Sequence, residues 1–413
     1  MLQWLKMERK KGNKFMSKTS HVACSWALPI EIVKGKGCLL VDRNDKEIID
    51  FTGGWCVGTH GWGNSEIAEA VAKEAQKALY VPPTLSWQGW EELANFLTKY
   101  APGKGKLTRA YRCCSGSEAV EFAMKCARAA TGKKTIISVA DVYHGHTYGA
   151  ASIGNTLGRK MGPGVPFCEK IPLPRSLKMA EEGLKMLESY FKKGDVAVFL
   201  SEPIFSNAGV YIPPDDFYPQ IQSLCKKYDV LLAMDEVATG FGRCGKLFAS
   251  ELWGLEPDIL CLGKALTGGY GALGATLVTE DVFNKCQGIP DYVTFGWTCL
   301  NTAAALANVK QLIDHKLWEN SEKVGSILYE CLKRLEGKGG VREVRGKGLL
   351  IGLSLDHKDA AGIQRECLER GLYIESWVEG DGTAYLFISP PLVLDAALAK
   401  KGAAILEQVL LNF

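Results

Sequence analysis

Along this chain, short apolar runs alternate with polar, glycine-bearing turns and with stretches whose apolar residues recur at helical spacing, the pattern of an α/β protein. The most informative block runs from Val230 to Gly269, VLLAMDEVATGFGRCGKLFASELWGLEPDILCLGKALTGG. Val230 to Met234 has the length of a buried strand and stops at the carboxylates of Asp235 and Glu236. A second run, Asp258 to Leu262, stops just before Gly263 and Lys264. An acid and an amine thus leave the same ends of two strands of what reads as one parallel sheet, where open α/β sheets place their ligands.

Further strands are expected at Ala110–Cys114, Thr135–Val139, Val196–Leu200 and Ala272–Thr279. Val120, Ala123, Met124 and Ala127 mark a helix after the turn Ser115-Gly116-Ser117. Residues Pro29 to Thr52 read as short strands with a turn at Asp42 to Asp45. The glycines and aromatics of FTGGWCVGTHGWGN, from Phe51, fit either a loop that lets backbone approach a ligand or one packed on core tryptophans. A helix after Gly296 marks the passage to a smaller C-terminal region. There VREVRGKGLLIGLSL contains an RGKG with no Ser or Thr after its lysine, so it reads as a turn entering a strand rather than a phosphate loop.

With 413 residues, 47% of them hydrophobic, the chain can build a large core and two domains. A net charge of +3 from 49 basic and 46 acidic residues gives no case for a nucleic-acid or anionic-membrane partner. The dense basic run Lys6 to Lys18 reads as a solvated tail, and Met7 and Met16 leave the start codon open. No apolar stretch reaches membrane-spanning length and the N-terminus lacks a signal-peptide core, so a cytoplasmic protein is expected. The 14 cysteines include Cys261 and Cys299 inside apolar runs and form no CxxC pair, which favours reduced, buried thiols and no metal site.

The chemistry-bearing positions have plain alternatives. A Ser-Gly-Ser turn at a helix N-terminus suits a phosphate, and it equally suits simple capping by Ser115 or Ser117 with Glu118 or Glu121. Asp235 alone could be a helix cap, whereas a lysine in LGKAL at the end of an apolar strand is not a surface lysine. DEVATGFGR followed by a strand and LGKALTGG resembles the signature of the class III aminotransferases, pyridoxal-phosphate enzymes of fold type I. The resemblance runs from about Pro29 to Leu394 with its motifs in family order.

That resemblance implies a large domain with a mainly parallel central sheet and helices on both faces, plus a smaller α+β domain built from both chain ends. The boundaries expected are residues 1–60 joining the small domain, 61–305 as the cofactor-binding domain and 306–413 as the C-terminal domain. It implies that Ser115, Gly116 and Ser117 hold the phosphate of pyridoxal 5'-phosphate, that Tyr143 lies on the pyridine ring and borders the substrate, and that Val237 packs on the opposite face. Asp235 would face the pyridine nitrogen and Lys264 would form the resting Schiff base and then carry a proton. Glu202, in SEP after the strand Val196–Leu200, would order the network around the cofactor. Either His144 or His146 would be a supporting hydrogen-bonder. Thr294 would bind the phosphate of the neighbouring subunit, toward which Tyr80–Trp87 also reaches, so a homodimer or higher oligomer is expected.

For the substrate pocket the resemblance nominates Trp55 in GGWCV. Three departures bear on specificity. Where relatives often carry Gln-Gly-Glu-Gly, this chain has Phe205-Ser206-Asn207-Ala208-Gly209, so Phe205 and Asn207 become pocket candidates. Where relatives have Gly-Gly-Asn-Pro, Gly296 is followed by Trp297, Thr298 and Cys299. Where many carry an arginine that grips a carboxylate, a rough alignment places Glu375, with Phe387 in the strand before Pro390-Pro391. Glu375 repels a carboxylate and attracts an ammonium, unless it simply points to solvent. The expected reaction is amino transfer from a primary, in particular omega-, amine or an amino acid to a 2-oxo acid such as pyruvate. Amino-acid racemases and an aminomutase of the same family share these cofactor residues, and a cofactor-free scaffold is the alternative from another class.

Overall fold

A computed structural model describes residues 28, 30–77, 79–155, 161–356, 359–378 and 382–413. The basic run Lys6 to Lys18, Met7, Met16 and Pro29 lie outside them. Near the N-terminus, β1 (Ile32–Lys36), β2 (Leu39–Asp42) and β3 (Glu47–Asp50) form an antiparallel meander turned at Asp42 to Asp45.

Seven strands follow: β4 (Leu107–Cys113), β5 (Thr135–Val139), β6 (Cys168–Ile171), β7 (Val196–Ser201), β8 (Leu231–Asp235), β9 (Ile259–Leu262) and β10 (Gly274–Thr279). They form one sheet in the order β4-β10-β9-β8-β7-β5-β6, in which β10 alone runs antiparallel to its neighbours. The crossovers between its parallel strands carry the helices.

The central strands are apolar throughout because both faces are covered. Alternate residues enter two separate cores. Phe199, Leu232, Met234, Leu260 and Leu262 pack on one side with Leu93 and Leu97 of the helix Gln88–Tyr100. Val198, Leu200, Ala233, Ile259 and Cys261 pack on the other with Val120, Ala123 and Ala127 of the helix Gly116–Thr131. This two-residue alternation sends successive side chains of each strand into opposite cores.

Five short strands complete the chain: β11 (Val341–Lys347), β12 (Leu350–Leu355), β13 (Leu372–Tyr373), β14 (Glu375–Val378) and β15 (Ala384–Ile388). Four of them form the antiparallel sheet β11-β12-β15-β14, while β13 crosses to pair in parallel with β3, joining Leu372 to Ile49. The RGKG run is the hairpin between β11 and β12, with Gly348 at φ 57° in its turn, so it does enter a strand. Among the described residues no helix is long and apolar enough to cross a membrane, no cluster suits a metal ion, and every cysteine is a free thiol.

Candidate active site

β8 and β9 are adjacent and parallel, so Asp235 and the Gly263-Lys264 step emerge side by side. Asp235 is buried, and its Oδ2 lies 2.7 Å from Nδ1 of His144. Its Oδ1 accepts the N–H of Val237 at 3.1 Å. Nδ1 of His144 therefore donates, and the buried Nε2 on the far side of the ring has no hydrogen-bond partner.

Lys264 opens a short 3₁₀ turn, Lys264–Thr267, with φ at 39°, a left-handed backbone that costs a non-glycine residue about 1–2 kcal/mol. Strain of this kind persists only where the surroundings impose it. The Asn308 side chain is one such restraint: its Nδ2 donates to the carbonyls of Ala265 at 2.8 Å and Leu266 at 3.2 Å. The Oδ1 of the same side chain accepts from Thr59 Oγ1 at 2.8 Å, so Asn308 ties the lysine turn to the glycine-rich segment. Nζ of Lys264 makes no hydrogen bond or ion pair among the described residues.

At the end of β7, Glu202 is buried, with one carboxylate oxygen accepting from the backbone and hydroxyl of Ser206 and the other unpartnered. Burial pushes its carboxyl up to about 7, with the charge of Asp235 adding to the shift and His144, Ser206 and Lys264 opposing it. Tyr143 is half-buried, its ring edge-on to His146 at 5.3 Å, and burial followed by the Asp235 charge raises its phenol.

The helix Gly116–Thr131 begins where β4 ends. Ser115 Oγ accepts the Glu118 N–H at 3.3 Å and Glu118 accepts the Cys114 N–H at 2.6 Å, so the capping reading is realised. Capping leaves the first amides, those of Gly116 and Ser117, without intrahelical acceptors and at the positive end of the dipole. Space is tight here. A Cβ on Gly116 would stand 2.7 Å from Cγ1 of Val237, and one on Gly263 would stand 3.1 Å from the Gly116 Cα. The Ser-Gly-Ser turn, Val237 and the Gly263-Lys264 step thus touch, although they lie on three separate motifs.

A buried acid oriented by an imidazole, an unpartnered amine, a helix start with free amides and a half-buried tyrosine ring would suit a phosphorylated aromatic aldehyde. The Aminotransferase class-III family model matches residues 22–410. The chain belongs to the class III aminotransferases. It is 35% identical over 367 residues to an acetylornithine aminotransferase of Methanothermobacter thermautotrophicus, covering 89% of this chain and 90% of that one. An amine transaminase from an uncultivated Pseudomonas species, solved in its PLP-bound form, superposes with a TM-score of 0.87 at 29% identity, over 97% and 98% of the two chains. An aminotransferase of Bacillus anthracis gives 0.87 at 26% identity over the full length of both.

Class III aminotransferases use pyridoxal phosphate, and this one offers a site that fits it. The unpartnered Nε2 of His144 and the side-chain-free cradle of Gly116 and Gly263 beside Lys264 are the features that a bound cofactor would explain.

Pocket candidates fall into two groups. Trp55 and Glu375 meet: the indole Nε1 donates to Glu375 Oε1 at 2.8 Å. The same oxygen accepts from the Tyr373 hydroxyl, and Oε2 accepts from Gln364 Nε2 at 3.2 Å, so Glu375 is directed inward rather than to solvent. Opposite Glu375 in register lies Phe387, whose ring packs against Trp377 at 5.4 Å. Trp55 sits in a left-handed turn, Gly53, Gly54, Trp55 and Cys56 having φ of 52°, 61°, 63° and 67°. The turn is held from its N-terminal side by buried Asp50, which accepts from the Thr52 N–H at 2.7 Å, the Gly53 N–H at 3.0 Å and Trp62 Nε1 at 2.8 Å.

The remaining candidates lie elsewhere. Phe205 forms a bridge with Tyr211, and its ring is buried beside Tyr218. Asn207 is half-buried, its amide 3.4 Å from Ser206 Oγ. Thr294 is exposed, and its carbonyl accepts from the Tyr80 hydroxyl at 2.8 Å, which links the two segments expected to reach a neighbouring subunit. Sequence reasoning missed Asn308, Gln364 and Tyr373, which carry no motif. It left His144 and His146 undivided, and only the register of the loop against β8 separates them.

Proposed function

We propose that this aminotransferase moves an amino group from a primary amine or amino acid, in particular an omega-amine, to a 2-oxo acid such as pyruvate. Pyridoxal phosphate supplies the sink for the electrons left when the amine-bearing carbon loses its proton. In this reading the Ser115, Gly116 and Ser117 turn holds the phosphate, Tyr143 and Val237 flank the ring, and Asp235, oriented by His144, keeps a proton on the ring nitrogen. Glu202 supports that network. Nζ of Lys264 holds the cofactor at rest and afterwards moves the proton on the substrate carbon.

The observation that carries the substrate reading is the Glu375–Phe387 pair across β14 and β15. The pair sets an acid already engaged by three donors beside an aromatic ring. Such a wall favours an apolar body and disfavours a second carboxylate. A relative named for amines and one named for acetylornithine are both compatible with a donor whose amine is remote from a carboxylate.

The same reading includes a homodimer in which Thr294 and the Tyr80–Trp87 segment serve the neighbouring site, a cytoplasmic location, and a division into a cofactor domain over 61–305 and a small domain from 1–60 and 306–413. The test is a panel of amines and dicarboxylic amino acids in single-turnover reaction with the loaded enzyme. Faster turnover of glutamate than of any monoamine would reject the omega-amine assignment. Loss of optical purity of an amino acid without oxo-acid formation would favour a racemase.

A further inference from the structure

We propose that Trp297 is a positioning residue for the cofactor phosphate: its indole N–H holds the Gly274 carbonyl, and Gly274 is the surface on which the Ser115-Gly116-Ser117 turn rests. The inference rests on the reading in which that turn binds the phosphate. It goes beyond it by naming a residue that acts from the far side of the sheet, without touching the cofactor.

β10 lies between the two. Ala275 and Leu277 face the core that contains Trp297, so the alternate residues Gly274 and Thr276 face the helix Gly116–Thr131. A Cβ on Gly274 would stand 2.3 Å from the Ser115 carbonyl oxygen and 3.2 Å from the Ser115 nitrogen, so the strand backbone lies directly against the helix cap. Two residues on, Thr276 Oγ1 donates to the Ala119 carbonyl at 2.7 Å. The start of the helix is seated on β10, and a shift of Gly274 is a shift of the turn.

Trp297 holds β10 at that residue. Its Nε1 donates to the Gly274 carbonyl at 2.7 Å, and the residue is only 1% exposed. Its backbone, at φ 57°, occupies a left-handed conformation that a bulky L residue rarely adopts. Two side chains hold it there: the Trp297 carbonyl accepts from Trp90 Nε1 at 2.6 Å and from Thr302 Oγ1 at 3.1 Å. The helices Gln88–Tyr100 and Cys299–Asp314 thus both anchor the tryptophan. A large ring kept in a strained turn, with its one polar side-chain atom directed at the strand behind the phosphate turn, is a brace.

The test measures the affinity of cofactor-free protein for pyridoxal 5'-phosphate and for pyridoxal, which lacks the phosphate, in wild type and in Trp297→Phe. Phenylalanine keeps a buried ring and loses the N–H. Trp297→Phe is expected to weaken pyridoxal phosphate binding about tenfold while pyridoxal binding changes by less than about twofold. Hydrogen exchange of the cofactor-free protein, followed by mass spectrometry, should show the Glu118 and Ala119 amides, which bond to Ser115, exchanging about fivefold faster or more. Should Trp297→Phe fail to fold, Trp90→Phe, which removes one donor to the Trp297 carbonyl, is expected to show the same phosphate-specific loss at about threefold.

An unchanged affinity for pyridoxal phosphate overturns the proposal. So does an equal loss for pyridoxal, which would mean that Trp297 only supports the core. If wild type binds pyridoxal as tightly as pyridoxal phosphate, the phosphate reading of the turn fails, while the exchange of Glu118 and Ala119 still decides whether Trp297 holds the turn in place.

Discussion

Nδ1 of His144 stands 2.7 Å from Oδ2 of Asp235, with both side chains buried. The contact fixes the orientation of both side chains, because each satisfies a buried polar atom of the other. His144→Ala is therefore expected to weaken cofactor retention and to lower kcat about tenfold or more, while the amine KM changes little. Cofactor titration followed by visible absorption, with single-turnover kinetics, checks it. An unchanged kcat would remove His144 from the site.

Glycine at 116 is required by its neighbour. Its absent Cβ would lie 2.7 Å from Val237 Cγ1, so Gly116→Ala should lower cofactor affinity and the melting temperature together. Val237→Ala should relieve part of the Gly116→Ala defect in the double variant. Failure of the second substitution to compensate would mean that the turn demands glycine for another reason.

Glu202 gives the fold a pH dependence. Its carboxyl is raised to about 7 by burial, above its ordinary value, so the folded state holds a proton that the unfolded chain releases. Stability from this group is present at low pH and is lost as pH rises through about 7. Glu202→Gln should erase that slope. Denaturant melts of protein without cofactor from pH 5 to 8 measure it, and a wild-type minus variant difference independent of pH would contradict the assignment.

Asn308→Ala leaves the Ala265 and Leu266 carbonyls without their side-chain donor and frees the turn that carries Lys264. A loss of about 2 kcal/mol in stability is expected, with kcat falling further than KM rises. Chemical denaturation and steady-state kinetics with one amine are the measurements.

Strand ends were legible because they carry the chemistry at the close of apolar runs. Thr135–Val139 has the bounds expected, and β8 and β9 start one residue later than predicted. β6 escaped notice: it is a four-residue edge strand, CEKI, whose charged centre breaks any apolar run. Residues acting through backbone acceptors, such as Asn308, leave no periodic signal. Glu375 was visible as a departure, but whether its charge faced solvent, substrate or Trp55 depended on a contact 320 residues apart in sequence.

The most direct measurement is the visible spectrum of the purified chain with pyridoxal phosphate, recorded before and after a primary amine and again after desalting and addition of pyruvate. A visible cofactor band that is lost with amine and restored by pyruvate, and absent in Lys264→Ala, is the predicted result. A band equally present in Lys264→Ala, or one that no amine alters, would contradict the central claim that Lys264 is the group through which this chain performs amino transfer.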